Sequence, residues 1–209
     1  MNFIIDVLLP RRCPSCKTLV AITAPTFCND CRSQIKFSDD KGEGSLFLYG
    51  GLVRELILNA KFKPDESISR ILSRFLAQTL RKEGDLRILA QSFDLVTYVP
   101  SHFRRRLTRG HELPALLAQS IATVIKRPLK HLLVCSRFDP PLSAAPSALE
   151  RLSQVEGRYR LAKTNAKPSR ILLVDDVVTT GATLQSAANV LIMAGHEAST
   201  FAFAKTSKC

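Results

Sequence analysis

The sequence predicts an α/β protein: an open parallel sheet with flanking helices, preceded by a small N-terminal module. Three observations predict it. The run Ile171-Leu172-Leu173-Val174 leads straight into Asp175-Asp176, then into a Thr- and Gly-rich turn, then into a helix-like pattern. Strand-like and helix-like stretches follow one another from Ser45 to the C-terminus. Ahead of them stand two Cys-x-x-Cys pairs, in a segment too small to hold a core alone. The 209 residues suffice for one substantial domain plus such an appendage. The division is expected between 1–41 and 42–209.

The stretch around the acids organises the chain. Its apolar run, β-branched at Ile171 and Val174, reads as a buried parallel strand. Asp175 and Asp176 then stand at the carboxyl end of that strand, where open α/β sheets bind ligands. Thr179 to Thr183 forms a loop feeding a helix N-terminus, whose free N–H groups and dipole attract phosphate. Gly181 lets backbone approach an anion, and the Thr hydroxyls add donors. Two carboxylates beside such a nest would repel a bare anion, but they suit sugar hydroxyls. A sugar phosphate is the ligand this arrangement favours.

From the N-terminus, Phe3, Ile4, Val7 and Leu8 share a helical face, and Pro10 stops the helix. This segment carries Asp6 and lacks a basic leading region, so it does not read as a signal peptide. No stretch reaches the apolar length of a membrane-spanning helix. The expected compartment is the cytoplasm, where thiols stay reduced. There Cys13, Cys16, Cys28 and Cys31 form a four-cysteine set with the closed shell of structural zinc, although the interval 17–27 is short for that pattern. Two disulfides, or iron on four thiolates, are the alternatives. Cys135 and Cys209 lack partners at metal spacing and are read as free thiols. His102, His111, His131 and His196 are scattered and are read as ordinary surface or core residues.

Lys41 to Gly44 reads as a linker, Ser45 to Tyr49 as a strand and Gly50-Gly51 as a turn. Leu52, Leu56 and Ala60 mark a helix. Ile68, Ile71, Leu72, Phe75, Leu76, Thr79 and Leu80 give the cleanest helical stripe, ending near Gly84. Asp94 to Pro100 reads as a strand running into a stretch with Arg104, Arg105, Arg106 and Arg109, expected to be an anion-binding loop or basic flap. A helix follows through Ala115 to Ile125, then a strand from Leu129 to Cys135. Arg137 to Pro146 reads as a loop, and Ser147 to Glu150 as a capping box opening a short helix. Tyr159 to Leu161 is expected to be extended. The last helix is expected over Ala182 to Ala194 with Gly195 as cap, and a last strand over Glu197 to Ala204 closes the sheet. The formal net charge of +12 favours anionic partners, whether nucleotide, nucleic acid or membrane surface, without choosing among them.

The acids and the Thr-Thr-Gly-x-Thr that follow resemble the signature of type I phosphoribosyltransferases, which bind 5-phosphoribosyl-1-pyrophosphate (PRPP). Taken together, several motifs resemble the ComF family of phosphoribosyltransferase-like proteins. They are the Cys pairs; Tyr49-Gly50-Gly51 with a helix leading to Lys61-Phe62-Lys63; Val99-Pro100 before an Arg-rich stretch ending Arg109-Gly110; Glu150-Arg151 before Val155-Glu156-Gly157; and the PRPP signature. The resemblance implies a type I phosphoribosyltransferase-like fold behind a zinc finger. It implies PRPP bound with Mg²⁺, and the handling of incoming single-stranded DNA in natural transformation or the use of DNA as a nutrient.

By resemblance, Asp175 and Asp176 hold the ribose hydroxyls and are the catalytic candidates. Val177, Val178, Thr179, Thr180, Gly181, Ala182 and Thr183 complete the PRPP loop. Lys61, Arg105, Arg106 and Arg109 are candidates for pyrophosphate or DNA phosphate. The chain departs from the family pattern at His111-Glu112-Leu113, at Ser143 and at Gln154. Three readings stand: an active transferase, a DNA-handling protein with a PRPP pocket, and a docking protein whose zinc module meets a competence helicase.

Overall fold

The computed structural model describes residues 11–21, 25–38, 44–62, 66–83, 90–136, 157–163 and 167–207, without the side chains of Arg105, Arg106 and Arg109. The expected N-terminal helix, the linker residues 41–43, the Gly84 cap, the loop after Arg137, the helix after Ser147 and Cys209 lie outside the described residues.

Strands β1 (Arg11–Arg12) and β2 (Leu19–Val20) pair antiparallel, and helix α1 (Asn29–Ser33) follows. The main body runs β3 (Ser45–Leu48), α2 (Gly51–Phe62), α3 (Ser67–Glu83), β4 (Leu95–Tyr98), α4 (Phe103–Arg109) and α5 (Leu113–Ile125). Then come β5 (Leu133–Cys135), β6 (Tyr159–Leu161), β7 (Arg170–Val178), α6 (Ala182–Met193) and β8 (Glu197–Lys205). The central sheet has the order β3-β8-β7-β4, and each of its three ladders is parallel. All four strands therefore end at one edge of the sheet.

Strand periodicity sorts the core into two layers. Leu172 and Val174 of β7 pack with Leu56 of α2, Leu76 of α3 and Leu117 of α5 on one face. Ile171 and Leu173 pack with Leu184 and Leu191 of α6, and with Leu133 and Tyr159, on the other. Burial on both faces explains why β7 reads as an unbroken apolar run. The helical stripe of α3 places Leu72, Phe75, Leu76 and Leu80 in the interior. The Cys-rich module joins the same layer through aromatic rings. Phe27 meets Phe75 edge-on at 5.1 Å, and Phe37 lies 5.3 Å from Phe47. Thr26 adds polar links, its N–H and hydroxyl both donating to Gln78 Oε1 at 3.3 and 2.7 Å.

Four expectations change. The basic stretch after β4 is not a loop: residues 103–109 form α4, since they contain no Gly or Pro and Gly110, at φ +73°, ends the turn. The stretch from Leu129 to Cys135 is split. Leu129 bridges Val96 at the sheet edge, but Leu133–Cys135 leaves to pair antiparallel with Tyr159–Leu161. The last strand does not lie at an edge. It sits between β3 and β7, with Ala202, Phe203 and Ala204 fully buried. Finally, β7 continues through both acids to Val178, with Asp175 paired in register with Ala202. Among the described residues no helix is long and apolar enough to cross a membrane.

Candidate functional site

Alternation along β7 sends consecutive side chains to opposite faces, and this separates the two acids. Asp176 follows the face of Leu172 and Val174 and meets α2. There Lys61 Nζ donates to its Oδ1 at 2.8 Å, across 115 positions of sequence. Asp175 follows the other face, where the charge of Arg158, just ahead of β6, acts on it. Both carboxylates are buried, and Asp175 Oδ1 accepts the N–H of Asp176 at 2.8 Å.

Electrostatics differentiates them further. Burial first, then the neighbouring Asp176 charge, pushes the Asp175 carboxyl up to about 8, against the pull of Lys61 and Arg158. Burial alone would lower the Lys61 ammonium, but the ion pair with Asp176 outweighs it and raises it. At neutral pH Asp175 is therefore mostly protonated, while Asp176 is matched by Lys61. The floor of the site is close to neutral instead of doubly negative. Repulsion of an incoming phosphate, which the sequence alone suggests, is thereby largely removed.

Beyond the acids, Val177 and Val178 are half-buried, and Thr179 and Thr180 are exposed. Gly181 is the N-cap of α6 at φ +82°, a conformation that favours glycine. It offers no side-chain cap, and the Ala182 N–H makes only a long bond to Thr180 Oγ1, at 3.5 Å. The first amides of α6 have no intrahelical acceptors, so the turn Thr179–Thr183 presents donors beside the acid pair. Helix α4 leaves the same sheet edge after β4. Arg104, Phe103 and Leu107 on it are exposed. Arg105, Arg106 and Arg109 lie on this helix by backbone, and their side chains lie outside those described.

Lys61 and the acid pair are thus brought together, with Lys61 paired to Asp176. Arg158 is not legible from sequence. It belongs to no motif, and its charge reaches Asp175 only because β6 packs under α6. His111 likewise gives no signal in the chain, yet its Nε2 lies 2.9 Å from Ala60 O. An open groove of about 630 Å³ lies elsewhere, between Ser15 and Gln34 of the module and Arg54, Glu55 and Asn59 of α2. None of the acid-pair residues lines it.

The four cysteines of the two pairs converge. Their sulfurs all lie within 4.8 Å of one another, and Cys16 and Cys28 Sγ are 3.5 Å apart. Tetrahedral thiolates on zinc stand about 3.8 Å apart, given Zn–S bonds near 2.3 Å. Cys13 and Cys31 are buried, and Cys28 Sγ, at the N-cap of α1, accepts the Cys31 N–H at 3.5 Å. The donor set and spacing fit a metal such as zinc, and four thiolates close the shell.

No protein-family model matches the chain. Curated proteins do. It is 27% identical to the competence protein ComFC of Bacillus subtilis, over 91% of this chain and 75% of that protein. It is 24% identical to ComFC of Streptococcus pneumoniae over 88% and 76%. It is 26% identical to competence protein F of Haemophilus influenzae over 89% and 93%. Among solved structures, orotate phosphoribosyltransferase from Aeropyrum pernix aligns at 21% identity and TM-score 0.36, over 81% of this chain and 73% of that one. Glutamine PRPP amidotransferase from B. subtilis aligns at 21% and 0.40 over 63% of this chain, which spans only 25% of the amidotransferase. The α/β fold stands on its own parallel ladders, not on these distant overlaps. The chain is thus similar to ComFC and competence protein F over almost its whole length, and its four clustered cysteines lie at the N-terminal end.

Proposed function

We propose that this protein binds PRPP with Mg²⁺ at the carboxyl edge of its sheet and acts in natural transformation, handling internalised single-stranded DNA in the cytoplasm. The observation that carries the reading is the buried acid pair, with Asp176 held by Lys61, beside an uncapped helix N-terminus. Asp175 and Asp176 offer hydrogen bonds to ribose hydroxyls. The turn Thr179–Thr183 receives the 5-phosphate. Lys61 can exchange Asp176 for the pyrophosphate, because its ammonium is already held charged. Mg²⁺ would take most of its shell from ligand oxygens and water and neutralise the pyrophosphate. The competence role is supported by the relatives' names. The DNA part is supported by the +12 charge and by α4, which carries exposed Phe103 and exposed Arg104 at the same edge.

The same acid pair favours a second reading, transfer of phosphoribose from PRPP to a nitrogenous acceptor. Loss of pyrophosphate leaves positive character at the ribose C1, which Asp176 beside it would stabilise once Lys61 has moved to the leaving group. Calorimetric titration of PRPP with Mg²⁺ into the wild type and into Asp175→Ala/Asp176→Ala tests the pocket. Binding in the wild type that disappears in the double variant is expected. Wild-type protein that binds no PRPP sinks both readings. Pyrophosphate release with any base then decides between them.

A further inference from the structure

Helix α2 ends at Phe62, and the last four carbonyls of any α-helix have no partners within it. One of these, Ala60 O, is met by His111, 51 positions away, with Nε2 at 2.9 Å. A carbonyl only accepts, so Nε2 carries the hydrogen. The other ring nitrogen, Nδ1, is buried and has no hydrogen-bond partner among the described residues. A buried, unsatisfied acceptor is costly. A phenyl ring would fill the same space without that cost, but it would lack the Nε2–H that meets Ala60 O. The next residue, Glu112, is the N-cap of α5, and its Oε1 accepts the Ser101 N–H at 2.6 Å in the turn between β4 and α4. Two adjacent side chains thus hold the two segments that carry cations to the sheet edge: the last turn of α2 with Lys61, and the start of α4.

We infer that His111 is a positioning residue, whose Nε2–H fixes the last turn of α2 and thereby keeps Lys61 on Asp176. Its bearing on PRPP rests on the proposed function, but its bearing on Lys61 does not. The test uses the full chain with His111→Gln, which keeps an N–H donor at a similar reach, and His111→Phe, which keeps the ring and loses the donor. Lys61 modification by an amine-reactive reagent is followed by peptide mass spectrometry between pH 7 and 10, with melting curves as a folding check. In the wild type and in His111→Gln, Lys61 should react slowly. In His111→Phe it should react roughly tenfold faster, the change in free amine made by one pKa unit. PRPP affinity should weaken in His111→Phe and recover in His111→Gln.

Equal Lys61 rates in folded His111→Phe and His111→Gln overturn the inference. So does a wild-type imidazole ¹⁵N spectrum with the proton on Nδ1 alone, a reading that needs no variant to fold. If wild-type protein ignores PRPP while the Lys61 rates split as expected, the proposed function fails and the positioning role stands.

Discussion

The four-cysteine module and the acid-pair edge assemble their side chains in opposite ways. The module's four sulfurs come from one short stretch, Cys13 to Cys31, where the turn after Cys13 and the first turn of α1 bring them within 4.8 Å. The acid-pair edge draws on Lys61, Arg158, Asp175 and Asp176, so its partners meet only when α2 and β6 have packed on opposite faces of β7. The difference is one of where the order comes from. The module counts Cys13 and Cys31 among its own buried residues, and its four sulfurs could hold a metal such as zinc that would complete its core. The acid-pair edge depends on the sheet and is fixed before any ligand arrives.

The largest effect should come from breaking the module. Chelation, or Cys31→Ser, should remove the metal and expose Phe27, Phe47 and Phe75. A fall in Tm on the order of 10 °C, together with loss of bound metal in elemental analysis, is expected. An unchanged melt would mean that the aromatic contacts hold the module without the ion.

Next comes the acid-pair edge. Lys61→Met leaves Asp176 buried without its cation. The cost should be about 2 kcal/mol, between the values for exposed and buried pairs, read from urea unfolding. PRPP affinity should fall at the same time, whereas chelating the module should affect PRPP only through stability.

Asp175 gives a pH signature of unusual sign. Its carboxyl is raised in the folded protein to about 8, so the native state holds a proton that the unfolded chain releases near pH 4. Stability is then highest below about pH 4 and declines as pH rises to about 8, where the folded carboxyl also ionises. Asp175→Asn should flatten this decline and raise Tm at pH 8 by on the order of 5 °C, in melts recorded across the range. A variant with the wild-type slope would show that another group titrates there.

The smallest effect belongs to Asp94, which accepts from Arg170 N and Nη2 at 2.8 Å each, at the opposite end of β4 and β7. The side-chain and backbone hydrogen bonds from Arg170 lower this carboxyl to about 2. Its stabilisation is present above the unfolded value near 4 and is lost as pH falls toward 2. Asp94→Asn should therefore lower the melting temperature slightly above about pH 4, with the difference from wild type vanishing in acid, and should leave PRPP binding unchanged.

Much of this was legible in residue order. The run Ile171–Val174, the stripe of α3 and the Cys pairs each repeat at a period that one element imposes, so they announce strand, helix and metal knuckle locally. The stretch 103–109 reads as a loop because a run of Arg looks solvated, whereas nothing in it breaks a helix. The interior place of β8 was hidden for a different reason. Sheet order is settled by which strands bury both faces, and a final strand carries no mark of its neighbours.

By itself, then, the sequence determined the local chemistry: an acid pair before a glycine-capped turn that opens a helix, and four cysteines at metal spacing. Only the tertiary structure decided what those groups are. It placed the acids on opposite faces of one strand, gave Asp176 a lysine from α2, left Asp175 buried enough to keep its proton, and put His111 on the carbonyl of Ala60. The physical reason is that charge state depends on burial and on neighbours distant along the chain, and neither exists until the layers have packed.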